Sequence, residues 1–118
     1  MPLSNNTPLA YNAVMVIIEA AIFTKRITEL MSDEDYTALQ AHLVEHPDHG
    51  ALIKGGGGLR KIRWVANAGQ GKRGGARIIY YWVTEHNQLR MLYAYRKARQ
   101  ENLTPEQLQL LRHIVERW

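Results

Sequence analysis

The apolar positions of this chain follow two periods, and the switches between them lay out a fold. Val16, Ile17 and Ile18 form a β-branched run within Val14 to Glu19, the pattern of a short buried strand. Phe23, Ile27 and Leu30 then recur at helical spacing. Ser32 followed by Asp33, Glu34 and Asp35 supplies an N-cap and acids for the positive end of a helix dipole, so a second helix starts there. Tyr36, Leu39, Leu43 and Val44 form its apolar stripe, and Pro47 ends it because proline has no amide hydrogen. After the breaker Lys54-Gly55-Gly56-Gly57-Gly58, strands are expected over Leu59 to Ala66 and Ala76 to Thr84. The glycine-rich basic loop Asn67 to Gly75 joins them as a hairpin with a long tip. The turn-forming pair His86-Asn87 precedes one more strand, Leu89 to Arg96. Thr104-Pro105-Glu106-Gln107 combines an N-cap, a proline in the first helical position and a glutamine able to close a capping box. Leu108, Leu111, Ile114, Val115 and Trp118 give this last helix its buried side.

The order β-α-α-β-β-β-α predicts an α+β domain with a mostly antiparallel, four-stranded sheet and helices packed on one face. At 118 residues the chain supports one core, assigned to residues 14–118. Residues 1–13 are polar and proline-containing and are read as a flexible arm without the character of a secretory signal. No apolar run reaches the roughly 18 residues of a membrane span. The absence of cysteine excludes disulfides and thiolate metal sites and fits a reducing cytoplasm, the expected location.

Charge changes this picture through its placement more than through its net value of +4. Arg60, Lys61, Arg63, Lys72, Arg73, Arg77, Arg90, Arg96, Lys97 and Arg99 lie between Leu59 and Arg99, with Glu85 as the only acid. Such a field attracts a polyanion. Alternation puts Lys61 and Arg63 on one face of their strand, Arg77 with Ile79 and Tyr81, and Tyr95 with Met91, Tyr93 and Lys97. If the register aligns these faces, Lys61, Arg63, Arg77, Tyr95 and Lys97 form an anion-binding concavity. Trp64, Tyr80, Tyr81, Trp82, Tyr93 and Tyr95 are interleaved with the cations, which suits RNA: cations engage phosphates and aromatic faces stack unpaired bases. Tyr80 and Trp82, sharing a face with Ile78, are read as core residues.

Other chemistries find little support. The loop Gly69 to Gly75 has no Ser or Thr after Lys72 and is flanked by strands, so it is not a nucleotide-cradling phosphate loop. His42 and His46 lie one helical turn apart, but no glutamate follows His42 in the zinc-protease pattern and His49 lies beyond Pro47. These histidines are read as surface residues, and no metal or cofactor is expected. No carboxylate pair in the basic half suits two-metal chemistry, and neither Ser4 nor Ser32 reads as an acyl-transfer nucleophile.

Three runs together resemble a known family: Gly57-Gly58-Leu59-Arg60-Lys61-Ile62-Arg63, Gly71-Lys72-Arg73-Gly74-Gly75-Ala76-Arg77-Ile78-Ile79-Tyr80-Tyr81 and Leu92-Tyr93-Ala94-Tyr95-Arg96-Lys97. They are similar to the RelE/HigB toxins of type II toxin-antitoxin modules, and the element order agrees over Val14 to Trp118. The resemblance implies a ribosome-dependent endoribonuclease that cleaves translated messenger RNA, with the ribosome and a cognate antitoxin as partners and a monomeric free toxin. By resemblance, Lys61 and Arg63 match the family's basic pair, Arg77 the arginine opening the next strand, and Lys97 lies near a late catalytic arginine. Where many RelE-like toxins carry a base-stacking tyrosine near the chain end, this chain has Leu103, and Tyr95 takes that role, as in some HigB-like members.

The family chemistry is attack by a ribose 2′-hydroxyl on the adjacent phosphate. Lysine and arginine have reference pKa values far above neutrality, so catalysis rests on positioning and charge stabilisation, and the identity of the general base is left open. Arg77 is expected to meet the developing phosphorane charge, Lys61 and Arg63 the phosphate and the 2′-hydroxyl, Tyr95 the base, and Lys97 the leaving oxygen. Arg60, Lys72, Arg73, Arg96 and Arg99 are expected to contact RNA more broadly. A non-catalytic RNA- or ribosome-binding module would use the same face. A DNA-binding role ranks lower, because the last helix mixes Arg112 and Arg117 with Glu106 and Glu116 and no helix-turn-helix pattern appears.

Overall fold

A computed structural model describes residues 14–65 and 75–118. Among them the order is β1 (Val16–Glu19), α1 (Ala21–Leu30), α2 (Asp33–Glu45), β2 (Ala51–Leu52), β3 (Arg60–Trp64), β4 (Ala76–Val83), a 3₁₀ turn (Thr84–His86), β5 (Gln88–Arg96) and α3 (Pro105–Arg117). The expected arm 1–13 and the loop tip with Lys72 and Arg73 lie outside the described residues.

The α+β class and the element order are as expected. The sheet runs β1-β5-β4-β3-β2, antiparallel except for the parallel β1–β5 pair. It has five strands among the described residues, one more than expected. The extra strand, β2, is a two-residue edge pairing of Ala51 with Lys61 and Leu52 with Arg60, too short to leave an alternation pattern.

The helices divide between the two faces, correcting the expectation that all pack on one. Phe23, Ile27, Met31, Leu39 and Leu43 of the α1–α2 region pack with Ile62, Ile78, Tyr80, Leu89, Met91 and Ala94 on the first face. On the second, Leu111 of α3 packs with Leu59, Ile79, Leu92, Tyr93 and Tyr95, flanked by Leu103, Leu108, Ile114 and Val115. That second face holds apolar Ile79 and Tyr81 on the same side of β4 as Arg77, and α3 removes this part from water. Both predicted caps form: Ser32 accepts from the Asp35 amide, and Thr104 and Gln107 close a capping box.

The β4–β5 ladder contains a bulge. Ile79 pairs with Tyr93 and Tyr80 with Met91, leaving Leu92 as an extra residue on β5. Leu92 and Tyr93 therefore both enter the second core, whereas Met91 turns to the first. Strict alternation had put Met91 with Tyr93 and Tyr95.

Tyr80 ties β4 to the segment after α2. Its fully buried hydroxyl accepts from the Gly50 amide and donates to the Pro47 carbonyl, each at 2.8 Å. A β-carbon at residue 50 would lie 2.7 Å from the Tyr80 ring and hydroxyl, so the approach requires glycine. Arg60 reinforces the segment by donating to the carbonyls of Asp48 and Gly50.

Candidate nucleic-acid interface

The strand register decides which cations meet. Arg63 pairs with Arg77 and Arg77 with Tyr95, so one row crosses β3, β4 and β5 on the second face. The neighbouring row is Lys61, Ile79 and Tyr93. Lys61, Arg63, Arg77 and Tyr95, separated by up to thirty-odd positions in sequence, thus share one face at the end of the sheet that leads into the Ala66–Gly74 connection. Side chains paired directly across strands have β-carbons only about 5 Å apart.

Hydrogen bonding within the row is incomplete. Arg77 Nη1 and the Tyr95 hydroxyl are buried without a partner among the described residues. Trp82 Nε1 on the first face is likewise unpaired among the described residues, but only Arg77 and Tyr95 are paired across neighbouring strands. Burial pushes the Tyr95 hydroxyl pKa up, and the Arg77 charge opposes that shift. The hydroxyl therefore stays protonated at neutral pH and remains a donor. Arg63 is exposed, and Lys61 donates from Nζ to Asn102 Oδ1 at 3.0 Å.

Asn102 had no signal in the sequence reading. It precedes α3, and its carbonyl accepts from Gln100 Nε2, which also donates to Gln107 Oε1 of the capping box. The start of α3 is thereby linked to the position of Lys61. The capping glutamine was legible, but the contact from Lys61 to Asn102 joins residues 41 positions apart.

The remaining cations separate from this row. Lys97 falls just past the end of β5, in a turn, with its side chain exposed and its amide donating to the Gly75 carbonyl. Arg60 is on the opposite face from Lys61 and Arg63, held against Asp48 and Gly50. Arg96 also leaves the row by alternation and donates to the Glu29 carbonyl at 3.2 Å. Arg99 is exposed in the turn after β5. Tyr80 and Trp82 occupy the first core, as expected, and Trp64 joins them there.

Tyr95 is only 3% exposed, with its ring centroid 6.0 Å from that of Tyr93. It borders a cavity of ≈ 460 Å³ between β5, α1 and the start of α3.

The histidines form a separate cluster on the α2 side. His42 lies 5.1 Å from His46, 4.7 Å from His49 and 5.4 Å from Trp64 between ring centroids. Burial and then its two neighbouring imidazoles lower the His42 pKa. Among the described residues no three His, Asp or Glu side chains are arranged to hold a metal ion, and no helix is long and apolar enough to cross a membrane.

A family model described as the RelE toxin of RelE/RelB toxin-antitoxin systems matches residues 18–118. The chain belongs to the RelE toxin family. This RelE-family chain is a toxin-antitoxin toxin, and its family implies an antitoxin partner. Its departure at Leu103 has a visible structural consequence. Leu103 is half-buried against the second core beside α3, where it adds apolar contact. On the second face of this RelE-family chain Tyr95 pairs with Arg77 in the cationic row, and Tyr93 lies in the row beside it with Lys61.

Proposed function

We propose that this RelE-family toxin is a ribosome-dependent endoribonuclease that cuts translated messenger RNA in the cytoplasm. The observation that carries the reading is the in-register Arg63–Arg77–Tyr95 row, with unfilled donor capacity on Arg77 and Tyr95. In this reaction the 2′-oxygen bonds to phosphorus and the bond to the 5′-oxygen breaks. The upstream fragment ends in a 2′,3′-cyclic phosphate, and the downstream fragment begins with a 5′-hydroxyl. One proton leaves the 2′-hydroxyl and one is taken up by the departing oxygen.

Arg77 stabilises the extra negative charge of the phosphorane. Partly buried and already oriented by the sheet, it pays little reorganisation cost as that charge grows. Lys61 and Arg63 hold the phosphate and bias the 2′-hydroxyl toward attack, Lys61 being oriented by Asn102. Tyr95 contacts the base through the cavity it borders. Lys97, exposed in the turn after β5, assists the leaving oxygen. Lys72, Arg73 and Arg99 supply less specific attraction to the RNA backbone. The ribosome positions the message.

A single 2′-deoxynucleotide tests this chemistry. On programmed ribosomes, placing it immediately 5′ of the mapped cleavage position is expected to abolish cut products there while leaving message binding intact. Undiminished cutting at that bond would contradict 2′-hydroxyl attack. Binding to programmed ribosomes with no cleavage of either message would instead favour the RNA- or ribosome-binding module.

A further inference from the structure

Gln100 stands between β5 and α3 and is partly buried. Its side-chain amide has two hydrogens, and both find acceptors: Nε2 donates to the Asn102 carbonyl and to Gln107 Oε1, each at 2.9 Å. Gln107 Oε1 also accepts from the Thr104 amide, while the Gln107 amide donates to Thr104 Oγ1, so Asn102 is fixed against the first turn of α3. From there the Asn102 side chain reaches the cationic row, where its Oδ1 accepts from Lys61 Nζ at 3.0 Å. Lys61, Asn102 and Leu103 line one cavity of ≈ 440 Å³, so the tethered lysine faces open space.

We infer that Gln100 is a positioning residue for the cleavage reaction: through Asn102 it holds the Lys61 ammonium in the row without cancelling its charge. The inference rests on the proposed role of Lys61 and adds to the site a residue whose own side-chain hydrogen bonds go to Asn102 and Gln107. Two physical facts favour such a tether. Lysine carries its charge on a flexible four-carbon stem, and that freedom is lost before the ammonium can meet a phosphate. Lys61 and Arg63 also lie two residues apart on one strand face, about 7 Å between α-carbons, so an untethered ammonium is driven away from the guanidinium. The amide oxygen of Asn102 supplies an acceptor with no net charge. A carboxylate in its place would pair with the ammonium and weaken the field that draws an anionic substrate. An ammonium has three hydrogens; one goes to Asn102, which leaves two for the phosphate and the 2′-hydroxyl, the contacts Lys61 makes in the proposed reaction.

The test uses the full, isotope-labelled chain, with nitrogen relaxation of the lysine ammonium groups to show how tightly Lys61 is held, and cleavage kinetics on programmed ribosomes. Gln100→Met keeps the length of the side chain and removes both donors. It is expected to lower the Lys61 order parameter to that of an untethered surface lysine and to reduce kcat about 5- to 10-fold, the loss of one positioning hydrogen bond, with KM within about twofold because the charge remains. Asn102→Ala is expected to have the same two effects, and Asn102→Asp, which keeps the acceptor, to restore the order parameter. In a Lys61→Met background Gln100→Met should change kcat no further, since there is no ammonium left to position. An unchanged Lys61 order parameter in Gln100→Met would overturn the positioning role, and so would the same loss of kcat added on top of Lys61→Met, which would mark Gln100 as a residue that only holds the fold. Release of Lys61 in Gln100→Met, in a chain that binds programmed ribosomes without cutting, supports the tether and overturns only the proposed reaction. Cleavage at a rate that does not depend on Gln100 overturns only the positioning role.

Discussion

Replacing Arg77 with alanine is expected to lower message cleavage by about 100-fold or more, corresponding to about 2.7 kcal/mol of lost transition-state stabilisation. Arg77 is the central member of the cationic row, paired with Arg63 on one side and Tyr95 on the other. Its Nη1 group is buried without a partner among the described residues, so truncation breaks no hydrogen bond there. The variant should therefore keep the fold and its melting temperature to within a few degrees. Single-turnover cleavage on programmed ribosomes measures the effect directly. A rate within threefold of the unmodified chain would remove Arg77 from the charge-stabilising role. An Arg77→Lys variant should recover only part of the activity, because a point charge replaces a planar group with several directed donors.

The second large effect concerns stability. Tyr80 is fully buried, and both functions of its hydroxyl are used, one by Gly50 and one by Pro47. Truncation to alanine empties a ring-sized volume from the first core and is expected to cost about 3–5 kcal/mol. That is a large part of the total stability of an ordinary domain. Tyr80→Phe keeps the ring and deletes the hydroxyl, leaving the Gly50 amide and Pro47 carbonyl without this partner, for an expected loss of about 1–3 kcal/mol. Urea unfolding of the three forms gives both values. A Tyr80→Phe midpoint equal to that of the unmodified chain would show that the Pro47–Gly50 segment is held by Arg60 and packing alone.

These two residues also show what the sequence could and could not disclose. Both lie on β4, and period-two alternation correctly separated Arg77 from the core-facing Tyr80 and Trp82. The same rule correctly grouped Lys61 with Arg63, but Arg60 joined the proposed RNA contacts on composition alone, although its side chain is committed to Asp48 and Gly50. Alternation fails at Leu92 because a bulge is one residue long and changes no periodic average, and Met91 was therefore placed on the wrong face. The packing of α3 against the second face follows from a pattern already present, since Arg77 shared its face with apolar Ile79 and Tyr81, which need cover. Asn102 was not legible for another reason. It reaches Lys61 across a long stretch of chain through one hydrogen bond, and that contact leaves no local sequence pattern.

The central claim is that this toxin acts by cutting messages, and induced expression in bacteria tests it most directly when growth and transcript 5′-ends are followed together. The unmodified chain should arrest growth and generate new 5′-hydroxyl ends within translated regions, and Arg77→Ala at equal abundance should do neither. Growth arrest with intact transcripts, or identical new ends in both forms, would contradict the account.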